Sequence, residues 1–532
     1  MKNRKTKVTK KQKRFERVTD VIAIILTIVM LFVCRYIICS SLNVIFVPAM
    51  NSTEQLTQEQ KLEDFEELYD LFVQNIPMLD EYEEICGYHF KDRKEMYKNL
   101  VLNTKDDLEF FSVMEAIVYD VPSFHTDLVS FGSIYGQKCY NAKKVLSDRD
   151  VISYNKKYEK QLEEAVEKYS DLKFTVFSYV DGTYYLDKQL GNSTLFEPYS
   201  KVLEIDGMPM DEFVISRPLG SGLFYDGAHK KAARNRIVFN DSMGDKVTIK
   251  VQNADNSITT KDMYLSYLAV NIWYYSDLTL LKFVEDDFYV YEDDDNQVSY
   301  VRLNSMNETN GNTVKNQLNQ LKYDNVILDL RDNYGGIPEY ASRYIYPALF
   351  SKDYEETSYW YMPVTKENDT ILEDAFNRIR IKPQKVTSAP FHSSACYYKS
   401  QVTYQYKGDA EKDRNLILLT SRKTGSAADR FVSDMKKNGL AVVIGNNTGG
   451  EGLMNSYNMV SLPNSKFVCV YMVGGAQNPD GSDNSVYGTV PDFYVANSID
   501  DYYVEYSKTD SEYCTMREYD AVLNYAIEYF QK

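Results

Sequence analysis

Val326-Ile327-Leu328-Asp329-Leu330-Arg331-Asp332-Asn333-Tyr334-Gly335-Gly336 is an apolar run that ends in a paired-glycine turn. Ile417-Leu418-Leu419-Thr420-Ser421-Arg422-Lys423-Thr424-Gly425-Ser426-Ala427-Ala428-Asp429-Arg430-Phe431 repeats the plan and runs on into a helix whose buried face is expected at Ala427, Ala428, Phe431, Val432 and Met435. Each stretch joins a buried strand to a glycine-bearing turn, the arrangement by which α/β folds hold reactive groups at strand ends. Glycine pairs turn sharply and present unhindered N–H groups, although a Gly-Gly pair is also an ordinary turn. Ser426 opens a helix, where serine is commonly an N-cap, and where orphan N–H groups and the positive dipole end would equally favour a nucleophile.

Working outward, β-branched runs alternate with amphipathic stretches: Val298–Leu303, a helix about Thr313–Leu321, Asn325–Leu330, and later Asn415–Thr420, a helix about Ala427–Lys437 and Leu440–Gly445. Such alternation predicts an α/β sheet. Residues 170–275 carry short β-rich runs, Phe174–Tyr179 and Lys246–Val251 among them, parted by Asp181-Gly182, Asp206-Gly207 and Asp226-Gly227, and predict a small β-domain. Residues 50–165 place Leu62, Phe65, Leu68 and Leu71 on one helical face and predict a helical module. Residues 501–532 are expected as a C-terminal helical tail.

The chain opens on a basic tail. Residues 1–18 carry nine Lys/Arg against Glu16 alone, whereas the whole chain stands at −17, so the body is strongly acidic. That balance argues against nucleic acid as a partner, since such affinity rests on Lys and Arg neutralising phosphates. Val21–Cys34 is uncharged, as is Tyr36–Ser52 after Arg35. A helix over residues 19–45 would reach across a bilayer with Arg35 snorkelling, which makes this a transmembrane signal anchor with the N-terminus cytoplasmic and the body outside; the alternative is a cleaved signal peptide. Seven cysteines without a CxxC pair, and four histidines without HExxH, give no sign of a metal, and no cofactor is expected.

Four blocks then carry a resemblance: Leu328–Gly336, Gly425-Ser426-Ala427-Ala428-Asp429, Ile444-Gly445-Asn446-Asn447-Thr448-Gly449-Gly450, and Gly488-Thr489-Val490-Pro491-Asp492. In order and spacing they resemble the S41 peptidases, the tail-specific or C-terminal processing serine proteases with tricorn-like relatives. The resemblance implies a ClpP/crotonase-like α/β core over 285–500, with Ser426 as nucleophile and the N–H groups of Gly335, Gly336 and Ala427 as the oxyanion hole. It also implies that Val202–Pro209 belongs to a PDZ-like domain, which a generic hairpin would imitate.

The family's processing branch keeps a general-base lysine where this sequence has Glu451. The tricorn-like branch uses a histidine from an N-terminal segment, and Tyr119-Asp120-Val121-Pro122-Ser123-Phe124-His125-Thr126-Asp127-Leu128 resembles that motif, which makes His125 the expected base and His392 the runner-up. Ser123, Glu451 and Asp483 are possible accessory groups. The expected function is a membrane-anchored, extracytoplasmic serine endopeptidase acting on peptides or envelope proteins through an acyl-enzyme; the alternative is an inactive S41-like peptide-binding protein. Nothing in the residues sets the oligomeric state.

Overall fold

The computed structural model describes residues 47–51, 54–123, 125–128, 141–278, 288–379, 384–387, 396–453, 457–501 and 517–532. The signal anchor expected at residues 19–45, and His392, lie outside these residues. Among the described residues no helix is long and apolar enough to cross a membrane.

Six strands form the sheet that positions the site, and their spatial order is their chain order: Phe288–Asp293, Val298–Leu303, Asn325–Asp329, Asn415–Thr420, Ala441–Gly445 and Phe493–Tyr494. The first pairs antiparallel with the second, and all later neighbours are parallel. Period-two geometry explains their nearly continuous hydrophobicity, because both faces are covered. Leu328, Leu418 and Val443 point to a core shared with Phe431, Val432 and Met435 of the Ala427–Lys437 helix. Ile327, Ile417 and Ile444 point to the opposite core, closed by Val522, Leu523, Ala526 and Ile527 of the Ala521–Gln531 helix. The expected helix at 313–321 is found at Gly311–Leu318, and the remaining strand limits shift by a residue or less.

The β-region before the core is a seven-stranded antiparallel sheet in which Thr183–Leu186 also meets Lys201–Ile205 at Tyr185 and Lys201, nearly closing a barrel. Leu223–Asp226 and Lys231–Arg234 form a separate two-stranded ribbon. The N-terminal helices Gln58–Asn75, Met78–Cys86, Lys94–Leu102 and Asp107–Val118 share one core with this region and with the hairpin 457–472.

One buried ion pair fastens the helices to the ribbon. Arg234 and Asp120 bind one another with both side chains fully buried, Tyr97 Oη donates to Asp120 Oδ2 at 2.8 Å, and Arg234 also donates to the carbonyls of Val214 and Ser221. The spare edge of the ribbon is satisfied from the same side, Leu223 N–H donating to the Tyr119 carbonyl at 3.1 Å and Tyr225 N–H to Tyr82 Oη at 2.9 Å.

Candidate active site

The serine and glycine loops leave the carboxyl ends of adjacent parallel strands, where open α/β sheets place their sites, and lock together. Thr424 Oγ1 donates to the Leu330 carbonyl at 2.7 Å, Gly425 N–H to the Asn333 carbonyl at 3.1 Å and Lys423 Nζ to Asp332 Oδ1 at 2.7 Å. Below them the Arg331 guanidinium spans Asp329 and Asp520, with Nη2 at 2.6 Å from an oxygen of each. Asp520 also caps the Ala521–Gln531 helix, so the glycine loop is tied to the far face of the sheet.

Ser426 departs from the N-cap reading in two ways. Its side chain makes no capping hydrogen bond, and its backbone has φ 53° and ψ −124°, a conformation that non-glycine residues rarely adopt. Such strain costs on the order of 1–3 kcal/mol and persists only where surrounding structure imposes it. The imposing contacts are visible: Ser426 N–H donates to the Gly450 carbonyl at 3.0 Å, and the Ser426 carbonyl accepts from Arg430 N–H at 3.0 Å. Gly335, at φ 99°, lies against it so closely that a Cβ there would fall 2.7 Å from Ser426 Cβ and 2.8 Å from Ala427 N.

The two glycines are not equivalent. Gly335 N–H donates to Asn333 Oδ1 at 2.9 Å, and the fully buried Asn333 is held in turn by the Leu303 carbonyl. Gly336 N–H and Ala427 N–H have no acceptor among the described residues; Ala427 is the first residue of its helix, where N–H groups lack an intrahelical partner. The Gly335 donor is thus engaged within its own loop, unlike those of Gly336 and Ala427.

His125 arrives from across the molecule. Its segment leaves the Asp107–Val118 helix, passes the Asp120–Arg234 pair and adds Asp127–Leu128 as an antiparallel strand against Val470 and Cys469. The ring stacks on Tyr457 at 4.9 Å between centroids. Glu451 receives it: Oε2 lies 2.7 Å from Nδ1 and accepts His125 N–H at 2.8 Å, while Oε1 accepts Ser123 Oγ–H at 2.8 Å. With Nδ1–H donated to the carboxylate, the neutral ring keeps its lone pair on Nε2.

The residues on either side of Glu451 are bound to the serine as well. Gly450 accepts the Ser426 N–H, and Gly452 packs on the Ser426 carbonyl so tightly that a Cβ would sit 2.1 Å away. Buried Asp429, three residues after the serine, holds this loop by accepting Thr448 Oγ1–H at 2.5 Å and Gly452 N–H at 3.2 Å. The residue in the family's lysine position is thus what the serine and histidine segments have in common. Sequence reasoning gave it no defined role; its adjacency to Thr448-Gly449-Gly450 was the available signal.

Asp483, the other accessory candidate, is engaged elsewhere. Its carboxylate caps the short Asn484–Tyr487 helix by accepting Ser485 N–H at 2.8 Å, and its second oxygen is buried without a partner among the described residues. Burial pushes its acid up to about 7, helped by the nearby charges of Glu81 and Glu451. His89 faces Glu83, and His229 lies between Asp226 and Asp181, both outside this cluster.

The fold and this geometry describe an α/β chain with a helix-opening serine at the carboxyl end of a parallel strand. Residues 297–495 match Peptidase family S41. It is 25% identical over 220 residues to the carboxyl-terminal-processing protease of Picosynechococcus sp., a match covering 41% of this chain and 44% of that one, so the chain spans less than half of this curated relative. Among solved structures, mature CPAF complexed with lactacystin superposes with a TM-score of 0.50 at 12% identity, over 89% of this chain and 99% of the other, a likeness of fold.

Proposed function

We propose that the chain is a serine endopeptidase whose catalytic unit is Ser426, His125 and Glu451. The observation that carries this reading is the double role of Glu451, which accepts from His125 Nδ1 while the residues on either side of it pack on Ser426. In this mechanism His125 Nε2 takes the proton as Ser426 Oγ attacks the scissile carbonyl. Glu451 stays ionised, holds the ring in one tautomer and stabilises the imidazolium that forms. The developing oxyanion is met by the N–H groups of Gly336 and Ala427, fixed in place before reaction so that little reorganisation is needed. Collapse expels the amine, which takes the proton from His125 Nε2, and water then hydrolyses the acyl-enzyme by the same route. The substrates are peptides or extended segments of proteins.

Incubation with a fluorophosphonate probe tests the reading. Ser426 should be labelled in the unaltered protein, and labelling should vanish in Ser426→Ala and fall steeply in His125→Ala; an unlabelled wild type would mean an inert relative that binds peptides without cutting them. We further propose that residues 19–45 anchor the chain with its body outside the membrane, on the strength of the basic tail and the uncharged run. Protease added to spheroplasts should then degrade the body and spare residues 1–18, and protection of the whole chain would overturn that topology.

A further inference from the structure

The strand Tyr354–Pro363 is paired along one edge and mostly open along the other. Tyr397–Tyr406 matches it residue for residue over its whole length. On the second edge only Trp360 and Tyr361 are paired, with Ala476 and Gly475, after which that neighbour turns away. Among the described residues, the backbone of Glu355–Tyr359 makes no hydrogen bond on this side.

Beside the open edge lies a cavity of about 250 Å³. Glu356, Thr357, Ser358 and Tyr359 all line it. Consecutive strand residues alternate between faces, so four in a row can border one cavity only when it runs along the edge of the strand. Its other walls are Ser433 and Lys437 on the helix that Ser426 opens, and the loop about Pro479. The space therefore has the place of an absent strand.

The open edge also adjoins the site. Arg430 donates from Nε to the Gly452 carbonyl at 2.9 Å, from Nη2 to the Leu453 carbonyl at 2.8 Å and from Nη1 to Ser358 Oγ at 3.1 Å. One buried guanidinium thus joins the loop that carries Glu451 to the middle of the open strand.

We infer that this edge docks an extended peptide, which adds as a third strand beside Glu356–Tyr359 and enters the site past Gly452–Leu453. An open edge offers N–H and C=O groups at a two-residue repeat, so recognition falls on the peptide backbone and side-chain demand is low. The inference rests on the peptidase reading for the fate of the peptide, and not for its binding.

The test uses the full chain carrying Ser426→Ala and the probe (Thr-Val)₃-Thr-amide labelled with fluorescein at its N-terminus, followed by polarisation. Saturable binding below about 1 mM is expected, with single backbone N-methylation weakening it about tenfold at every second residue and little between, as the loss of one hydrogen bond requires. Pro479→Trp, an exposed change at the mouth of the cavity, should weaken it at least as much with an unchanged thermal midpoint. No saturation, equal sensitivity at successive N-methyl positions, or indifference to Pro479→Trp would each overturn the inference. Fluorophosphonate labelling of the wild type without edge binding would sink this inference alone; edge binding without labelling would sink the peptidase reading alone.

Discussion

The serine and the histidine reach the site by opposite routes. Ser426 sits on a strand, turn and helix contiguous from Asn415 to Lys437, inside a parallel sheet covered on both faces. His125 sits 326 residues from the carboxylate that holds it, on a segment that adds a two-residue strand to a hairpin and is pinned by the Asp120–Arg234 pair. The serine side is strained locally and supported by near neighbours. The histidine side is relaxed locally and depends on the docking of three regions. A side chain can thus be fixed either by its own segment or by an assembly around it, and the two fail differently.

The largest effect should come from the serine side without disturbing the fold. Ser426→Ala is expected to lower kcat/KM by about 10⁵- to 10⁶-fold, as removal of a nucleophile does, while the thermal midpoint moves by less than about 2 °C because no cap is lost. A much larger drop in the midpoint would mean that the hydroxyl has a structural bond, and would weaken the contrast drawn here.

Glu451→Gln addresses the link between the two sides. The amide can still accept from Ser123 but cannot stabilise an imidazolium, so kcat should fall by about 10²- to 10⁴-fold with KM little changed. Near-normal turnover would remove Glu451 from the proposed unit.

Arg234→Met should break the histidine side selectively. It leaves the Asp120 carboxylate buried without its cation, at a cost of about 3–5 kcal/mol. Hydrogen exchange should then quicken over residues 107–128 while residues 415–445 keep their protection. Uniform loss of protection would show that the two sides fold as one unit, and the comparison would have to be abandoned.

Asp483→Asn should have the smallest effect. The folded state holds the Asp483 proton up to about pH 7, whereas the unfolded chain releases it near the ordinary carboxylate value. Its contribution is therefore fully present at acid pH and is lost as pH rises towards about 7. Between about pH 4 and 7 the wild-type midpoint should fall by about 2–4 °C more than that of Asp483→Asn. Equal slopes would mean that this carboxyl ionises normally.

The same contrast separates what was legible in the sequence from what was not. The strands Val298–Leu303 and Asn415–Thr420 and the helix Ala427–Lys437 stand where apolar periodicity put them, because short-range patterning decides burial within a contiguous unit. The strain at Ser426 could not be read, since it comes from the close approach of Gly335, Gly450 and Gly452, which are distant in sequence. Nor could the engagement of Gly335 N–H by Asn333, which depends on one rotamer. The sequence shows Glu451 as a carboxylate in the lysine position and as an accessory candidate, but not its contacts with Ser123 and His125, which come from another part of the chain. Asp483 is an accessory candidate by position, and its capping of the Asn484–Tyr487 helix depends on a turn that the sequence does not specify.

The Arg331 clamp can close only late in synthesis. Arg331 and Asp520 are 189 residues apart, and domains fold as they emerge from the ribosome. In a nascent chain Ser426 is therefore made while the carboxylate that completes the clamp under the glycine loop is still absent. During that interval the loop lacks one of its two buried anions, so translation itself delays the moment at which the site is fully formed.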